Sequence, residues 1–199
     1  MVWQKLLCII IGYAFGLFQT GFIIGKIHNI DIREYGSGNS GTTNAMRTLG
    51  KKYGFITYFG DALKAVFAVI LTYFIFRDIC AGHMMVIALY TGLGVVLGHN
   101  FPFYMHFKGG KGIAVSFGVL LALFPIWKPV LLLAFFYILF SVVFKIRSHR
   151  RRSIVTFGCF CVGCLSLVPI PAILLGCVLI SCIVIYKHHL MEELSLIHI

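Results

Sequence analysis

The residues best suited to chemistry lie in two polar segments that interrupt an apolar chain. The first runs from Asp31 to Arg47, and its glycines let backbone N–H groups approach an anion closely. Neutral hydrogen-bonding side chains and a late arginine add donors of the kind that bind phosphate. These candidates are Gly36, Ser37, Gly38, Asn39, Gly41, Thr42, Thr43, Asn44 and Arg47. The alternative is a solvated, glycine-rich loop between helices, and this segment alone does not decide between the two.

Three of these glycines also match the G-x-G-x-x-G pattern of dinucleotide-binding folds. That pattern requires a buried β-strand directly before it. Here a polar stretch that follows a long apolar run precedes the glycines. We therefore reject a dinucleotide site.

The second polar segment, Gly98 to Gly112, ends where another apolar run begins. Its sequence Lys108-Gly109-Gly110-Lys111-Gly112 predicts a helix N-terminus, where free N–H groups and the helix dipole favour an anion. It is not a Walker A loop, because no Ser or Thr follows the lysine. His99 and His106 have no third histidine or carboxylate at metal-ligand spacing, so we expect no metal. A structural and a chemical role for His99 both stay open.

Two such segments in one chain predict a shared site for one phosphate or for two, provided that both lie on the same side of the fold, as the charge pattern described below indicates. The sequence contains neither a serine-hydrolase elbow nor a zinc-protease helix. Few carboxylates lie near the predicted site, namely Asp31, Glu34 and Asp61. The chemistry should therefore need no metal, no other cofactor and no pair of carboxylates.

The composition indicates what kind of protein holds these two segments in place. The chain has 199 residues, of which 60% are hydrophobic and 12% are charged, and a soluble protein carries about twice that charge. The net charge of +11 has no accompanying nucleic-acid-binding motif, so we expect a membrane protein and no nucleic-acid partner. The seven cysteines lie in or near apolar runs, and we expect reduced thiols rather than a metal site at Cys159-x-Cys161-x-x-Cys164.

The apolar runs predict an all-α integral membrane protein with about seven transmembrane helices. A count of five or six stays open, because the later runs are short. The runs are Trp3–Gly25, Phe55–Phe76, Met84–Gly98, Ile113–Ile126, Pro129–Phe144, Ile154–Leu167 and Ile170–Tyr186. Most lysines and arginines fall in the loops that contain the two polar segments and in the loop Lys145–Arg152. Because such residues stay on the cytoplasmic side, we expect an outside N-terminus and cytoplasmic polar segments.

The sequence resembles the bacterial acyl-phosphate:glycerol-3-phosphate acyltransferases, the PlsY family. The resemblance is carried by Gly36-Ser37-Gly38-Asn39-x-Gly41-x-Thr43-Asn44-x-x-Arg47 and by Gly98-His99-x-Phe101-Pro102 with the following Phe107-Lys108-Gly109-Gly110-Lys111-Gly112. Asp61-x-x-Lys64 matches a further family motif in the second span. Agreement in order and spacing extends to about Tyr186.

The resemblance implies a multi-pass enzyme of the bacterial cytoplasmic membrane that uses no metal. It implies transfer of an acyl group from acyl phosphate to the 1-hydroxyl of glycerol 3-phosphate, which gives lysophosphatidic acid for phospholipid synthesis. The implied catalytic residues are Ser37, Arg47, His99 and Lys111. The implied phosphate-binding residues are Gly36, Gly38, Asn39, Gly41, Thr43, Asn44, Lys108, Gly109, Gly110 and Gly112. The proton of the attacking hydroxyl goes either to a substrate phosphate or to His99.

The chain departs from the family pattern in several places. Phe18-Gln19-Thr20 stands where the family usually has Ser-Ile-Pro, and Ala65 replaces a glycine after Lys64. The loop after the fifth span is a basic run, and the third family motif expected after His188 is missing. We predict a single domain over residues 1–193. Residues 194–199 back-translate to a sequence like a transposon adapter, so we expect this tail to be non-native, the alternative being a divergent native one.

Two other functions stay open at this level. A membrane transporter of phosphate or another anion could use the same loops as a gate, although transporters tend to bind at the midplane between repeated halves. An inactive, truncated family member is the other alternative, because the third motif is missing. The polar groups at one face and the lack of a repeat favour the enzyme.

Overall fold

The structure, a computed structural model, describes residues 1–197, with side chains described for residues 1–190. Within this range the chain is almost entirely α-helical. The helices are α1 (Val2–Leu17), α2 (Thr20–Ile27), α3 (Thr42–Thr48), α4 (Lys51–Phe76), α5 (Met84–Asn100), α6 (Ile113–Ala122), α7 (Lys128–Ile138), α8 (His149–Leu167) and α9 (Pro171–Ile197). A π-helical turn, Leu139–Val143, extends α7.

Four segments of the described chain are long and apolar enough to cross a membrane. They are Val2–Ile27, Lys51–Phe76, Ala81–Met105 and Pro171–Leu190. Ile113–Ala122 and Lys128–Val143 are shorter apolar helices. Together with α8, these segments correspond to the seven predicted runs, so the all-α membrane fold is confirmed. The count of seven crossings, the orientation and the 1–193 domain boundary stay predictions, and residues 198–199 of the suspected tail lie outside the described residues.

Several helix boundaries differ from the predicted ones. The first apolar run is not one helix, because Phe18 and Gln19 adopt extended backbone conformations between α1 and α2. The first polar segment is not entirely a loop, since its last part forms α3. The basic loop is also shorter than predicted: Ser148 caps α8 by accepting a hydrogen bond from the Arg151 N–H, so the helix begins within the basic run.

Glycines set the distance between α1 and α5, which pack along each other. A Cβ atom at Gly12 would overlap the Thr91 carbonyl group, and one at Gly94 would overlap the Ile9 carbonyl oxygen. Small residues allow two membrane helices to approach closely where no hydrophobic effect drives them together. This close contact fixes the C-terminal end of α5, where His99 lies, against the break between α1 and α2.

Helix α5 is the centre of the bundle and packs against α1, α4, α6 and α9. The hydroxyl groups of Thr72 on α4 and Thr91 on α5 lie 2.9 Å apart, so they hydrogen-bond between two apolar helices. Large apolar side chains such as Phe59 and Phe67 on α4 are more than half exposed and point outward. An apolar exterior with polar groups paired inside is what a lipid environment requires.

We expect Gly94→Ala to destabilise the protein, because the added methyl group forces α1 and α5 apart. Overpacking of this kind costs about 1–3 kcal/mol. Thermal unfolding of the detergent-purified protein measures the loss. Gly158→Ala in α8 is the matched control, since a Cβ atom there meets nothing within 4 Å. Equal melting temperatures for the two variants would contradict the role of this helix contact.

Candidate functional site

A cavity of about 450 Å³ lies where the two polar segments meet α4, α6, α7 and the start of α8. Part of its wall is polar, and this polar part is formed by Ser37, Asn39, Gly41, Thr42, Thr43, Asn44, Arg47, Asp61, His99, Lys111, Gly112 and His149. The rest, called the apolar part, is formed by Tyr58, Ile113, Ala114, Phe117, Ala134, Tyr137 and Ile138. The cavity can therefore hold an anionic group and an apolar group at once.

Asn44 organises the first polar segment from within. Its amide nitrogen donates to the Ile32 and Tyr35 carbonyl oxygens at 2.8 and 3.0 Å, and its amide oxygen accepts from the Ser37 N–H at 2.8 Å. The Ser37 hydroxyl donates to the same oxygen at 3.3 Å. Gly36 has a φ of +60° and no room for a Cβ atom beside Asn44, so glycine is required at this turn.

Asn39 connects the first polar segment to the second. Its amide nitrogen donates to the Gly109 carbonyl oxygen at 3.2 Å, and its amide oxygen accepts from the Gly41 N–H at 2.8 Å. Asn39 is buried, although it lines the cavity. Both ends of its amide are therefore engaged within the protein, and its main effect is to hold the two segments together.

The backbone of the second polar segment is used differently from the prediction. The N–H groups of Gly109 and Gly110 donate to the carbonyl oxygens of Asn100 and His99, at 3.3 and 3.0 Å. Neither glycine lines the cavity, so these two N–H groups are occupied in shaping the loop. The cavity wall instead contains Lys111 to Ala114, at the N-terminus of α6. The first-turn N–H groups of that helix have no partner within the helix, which is the arrangement that suits an anion.

A buried ion pair connects Asp61 of the polar part to Lys64 behind the cavity wall. The Lys64 ammonium group is 3.1 Å from Asp61 Oδ1, and both side chains are at least 95% buried. It also donates to the carbonyl oxygens of Gly16 and Phe18 at the break between α1 and α2. Its nitrogen is 2.9 Å from His99 Nδ1.

The tautomer of His99 follows if Lys64 is the charged partner of Asp61. A charged ammonium group can only donate hydrogen bonds, so Nδ1 of His99 is then the acceptor and the proton of the neutral ring is on Nε2. On the other side of the ring, Nε2 lies against Gly110, where a Cβ atom would overlap it. The Nδ1 lone pair of His99 is therefore not available to take a proton from a substrate.

The cavity wall carries more positive than negative charge. Asp61 is its one carboxylate among the described residues, and Asp61 is paired with Lys64. Burial, together with the nearby Arg47 guanidinium, lowers the pKa of Lys111 below its ordinary value. Positive charges that repel each other around a cavity are stabilised by an anion between them.

His149 completes the polar part at the start of α8. Its Nε2 shares a hydrogen bond of 3.1 Å with the Thr43 hydroxyl group, and its ring stacks on His188 with centroids 5.7 Å apart. Burial, Lys111, Arg152 and Arg47 lower the pKa of His149 to about 4. The imidazole is therefore neutral near pH 7 and serves as a hydrogen-bonding group.

Most of the predicted site residues meet at this cavity. Those that line it are Ser37, Asn39, Gly41, Thr43, Asn44, Arg47, His99, Lys111 and Gly112. Gly36, Gly38, Lys108, Gly109 and Gly110 do not, and Lys108 is exposed. Of the three carboxylates expected nearby, Asp61 alone lines the wall, while Asp31 pairs with Arg33 at 2.7 Å.

Sequence reasoning missed several lining residues. The most polar of them is His149, for which the available signal was a histidine within a run of arginines. Tyr58 lies one turn before Asp61 on α4, so its place could have been inferred from helical spacing. The lining residues of α7 carry no such signal, because any apolar helix has residues of these types.

The chain is similar to known acyltransferases over nearly its whole length. The family model for glycerol-3-phosphate acyltransferase matches residues 6–193. The glycerol-3-phosphate acyltransferase of Bacillus velezensis is 39% identical over 183 residues, which cover 92% of this chain and 89% of the relative. That of Streptococcus thermophilus is 41% identical over 169 residues, which cover 84% and 73%.

Two solved structures have the same fold. Both are described as PlsY, an integral membrane glycerol 3-phosphate acyltransferase, one in the glycerol 3-phosphate form and one in the lysophosphatidic acid form. They match with TM-scores of 0.79 and 0.77 at 28% identity. Each match covers 98% of this chain and 92% of the solved chain.

We expect Asp61→Asn to destabilise the protein by about 3–5 kcal/mol, because it leaves the buried Lys64 charge without its partner. Thermal unfolding in detergent measures the change. Lys64→Met should cost less in the Asp61→Asn background than alone, since the two charges act on each other. Asp78→Asn is the control, because Asp78 and Arg77 form an exposed pair at 3.8 Å. Additive effects of the two buried substitutions would contradict the pairing.

Proposed function

The chain belongs to the glycerol-3-phosphate acyltransferase family, and we propose that its cavity holds an acyl phosphate and glycerol 3-phosphate side by side. It is an integral membrane acyltransferase that converts glycerol 3-phosphate to lysophosphatidic acid. The observation that carries the proposal is the division of the cavity into a polar part with uncompensated positive charge and an apolar part among the helices.

The apolar part suits the acyl chain of the donor. Its residues come from α4, α6 and α7, so the chain would lie among helices that face lipid. The polar part suits the phosphate of the donor, and burial in a low-dielectric region strengthens its attraction to Lys111 and Arg47. An acyl phosphate has this apolar and anionic character in one molecule.

Each phosphate has its own set of donors in this proposal. Lys111 and the first-turn N–H groups of α6 hold one phosphate. Arg47 and the threonine hydroxyls of the first polar segment hold the other, and the Ser37 hydroxyl can join them only by releasing the Asn44 amide oxygen to which it donates its one proton. Asn39, assigned from the sequence to phosphate binding, has both ends of its amide engaged and instead maintains the distance between the two sets.

The reaction follows from this placement. The 1-hydroxyl oxygen of glycerol 3-phosphate attacks the carbonyl carbon of the acyl phosphate, the bond from that carbon to the phosphate oxygen breaks, and inorganic phosphate leaves. The mixed anhydride is already activated, so positioning the two reactants supplies much of the rate. The donors around the leaving phosphate stabilise the charge that develops on it.

The proton of the attacking hydroxyl passes to a substrate phosphate oxygen. His99 is unsuited to accept it, because Nδ1 accepts from Lys64 and Nε2 carries the ring proton. A covalent intermediate on Ser37 is not needed either, since its hydroxyl donates to the Asn44 amide oxygen rather than to a base. We place the enzyme in the bacterial cytoplasmic membrane, with both polar segments on the cytoplasmic face, because loops rich in lysine and arginine stay on that side of a membrane.

The donor class can be tested directly. Purified protein should form lysophosphatidic acid from palmitoyl phosphate and glycerol 3-phosphate, with release of inorganic phosphate. Palmitoyl-CoA is the control donor, and it should give no product because its thioester carries no phosphate on the reacting carbonyl. Product from palmitoyl-CoA but not from palmitoyl phosphate would contradict the proposed donor.

The two lysines of the second polar segment provide a sharper test of the site. Lys111→Ala should lower kcat/KM by the equivalent of about 2–4 kcal/mol, because it removes a charged donor from the cavity. Lys108→Ala should have a much smaller effect, since that side chain is exposed and outside the cavity wall. Steady-state kinetics with palmitoyl phosphate measure both, and Lys51→Ala serves as a control for loss of an exposed cytoplasmic charge. A larger loss for Lys108→Ala than for Lys111→Ala would contradict the assignment.

A further inference from the structure

We propose that Gln19 is a positioning residue that fixes the position of the two polar segments relative to each other for the transfer reaction. The proposal rests on the proposed function, because it assigns a role in assembling that site. Gln19 does not line the cavity and is 1% exposed. It touches neither substrate and acts only through the residues it contacts.

Gln19 occupies the break in the first membrane segment. Its backbone is extended and lies between the end of α1 and the start of α2, so its side chain is not on the surface of either helix. The side chain is instead buried in the protein interior. Two residues further along, a Cβ atom at Gly21 would overlap the Ser40 carbonyl oxygen. The break therefore lies directly against the first polar segment.

The side-chain amide of Gln19 joins the two segments. Its nitrogen donates to the His99 carbonyl oxygen at 2.9 Å and to the Gly16 carbonyl oxygen at 3.2 Å. Its oxygen accepts from the Ser40 hydroxyl group at 3.0 Å. An amide is suited to this position because it can donate at one end and accept at the other.

These contacts act on residues next to the phosphate donors. The His99 carbonyl oxygen that Gln19 binds also accepts from the Gly110 N–H, one residue before Lys111. Ser40 follows Asn39, which binds the Gly109 carbonyl oxygen. The two polar segments are thus joined by two bridges, one direct from Asn39 and one through Gln19.

Loss of the Gln19 bridge should change the relative placement of the two phosphates. A displacement of about 1 Å between reacting groups can cost about 100-fold in rate. The groups that bind glycerol 3-phosphate remain present, so its KM should change less than kcat. A role limited to stability would instead lower the yield of folded protein and leave kcat per folded molecule unchanged.

The test compares Gln19→Met with Gln4→Met in the detergent-purified full chain. Methionine has a similar length and lacks the amide, and Gln4 is a buried glutamine at the opposite end of α1. We expect Gln19→Met to lower kcat by about 10- to 100-fold, and Gln4→Met to leave it near the wild-type value. A Gln19→Met protein that is folded and has the wild-type kcat would overturn the proposal.

A second comparison tests the bridge itself. Ser40→Ala removes only the Ser40 hydroxyl, and Ser181→Ala in α9 is its control because that buried hydroxyl binds the Cys177 carbonyl oxygen far from the two segments. Ser40→Ala should lower kcat less than Gln19→Met, and the double variant should resemble Gln19→Met alone. Losses that multiply would show that the two residues act independently and would overturn the bridge. If Gln19→Met does not fold, an unchanged kcat in Ser40→Ala would overturn the bridge in the same way.

Hydrogen–deuterium exchange separates this inference from the proposed function, because it needs no substrate. Gln19→Met should raise exchange in peptides from both polar segments, including the Gly110 N–H that binds the His99 carbonyl. Gln4→Met should not. A wild-type protein that forms no product argues against the proposed function alone, whereas unchanged exchange in Gln19→Met argues against the bridge alone.

Discussion

The whole site depends on the buried ammonium group of Lys64. A lone charge of this kind is very costly to bury, so it must be matched by acceptors from the surrounding protein. Asp61 supplies the opposite charge from the same helix, and the break after α1 supplies the carbonyl oxygens of Gly16 and Phe18. His99 supplies a ring nitrogen from α5. Three separate membrane segments are therefore fixed at one point behind the cavity wall.

This anchor also determines which charges are left for substrates. Because Asp61 is committed to Lys64, it does not neutralise Arg47 or Lys111 in the cavity wall. The positive field of the polar part consequently remains available to phosphates. A second carboxylate in the wall would reduce that field and compete with the phosphates for the same donors, so the scarcity of acidic residues is consistent with the chemistry.

The sequence predicted the apolar segments and most of the polar residues that line the cavity, because hydropathy and glycine-rich motifs are local signals. It did not predict the helix break, since Phe18-Gln19-Thr20 contains neither proline nor glycine. The family that the chain resembles usually has a proline there, whereas here contacts with Lys64 and Ser40 accompany the break. The sequence also predicted that the Gly109 N–H would face an anion. In the structure this N–H donates to the Asn100 carbonyl oxygen, and that contact depends on how the loop folds back onto α5.

The basic run after α7 contains both residues of the kind that orient a protein in the membrane and residues that contact the cavity, and residue type alone did not distinguish them. Arg147 and Arg151 are exposed, as expected of residues that orient a membrane protein, while Arg152 lies over the Tyr137 ring of the apolar part. His149 lies in the cavity wall, where its neutral imidazole adds a hydrogen-bonding group without repelling Lys111. A third permanent positive charge at this position, such as an arginine, would add to the repulsion between Arg47 and Lys111, whereas the neutral imidazole contributes a hydrogen-bonding group without that cost.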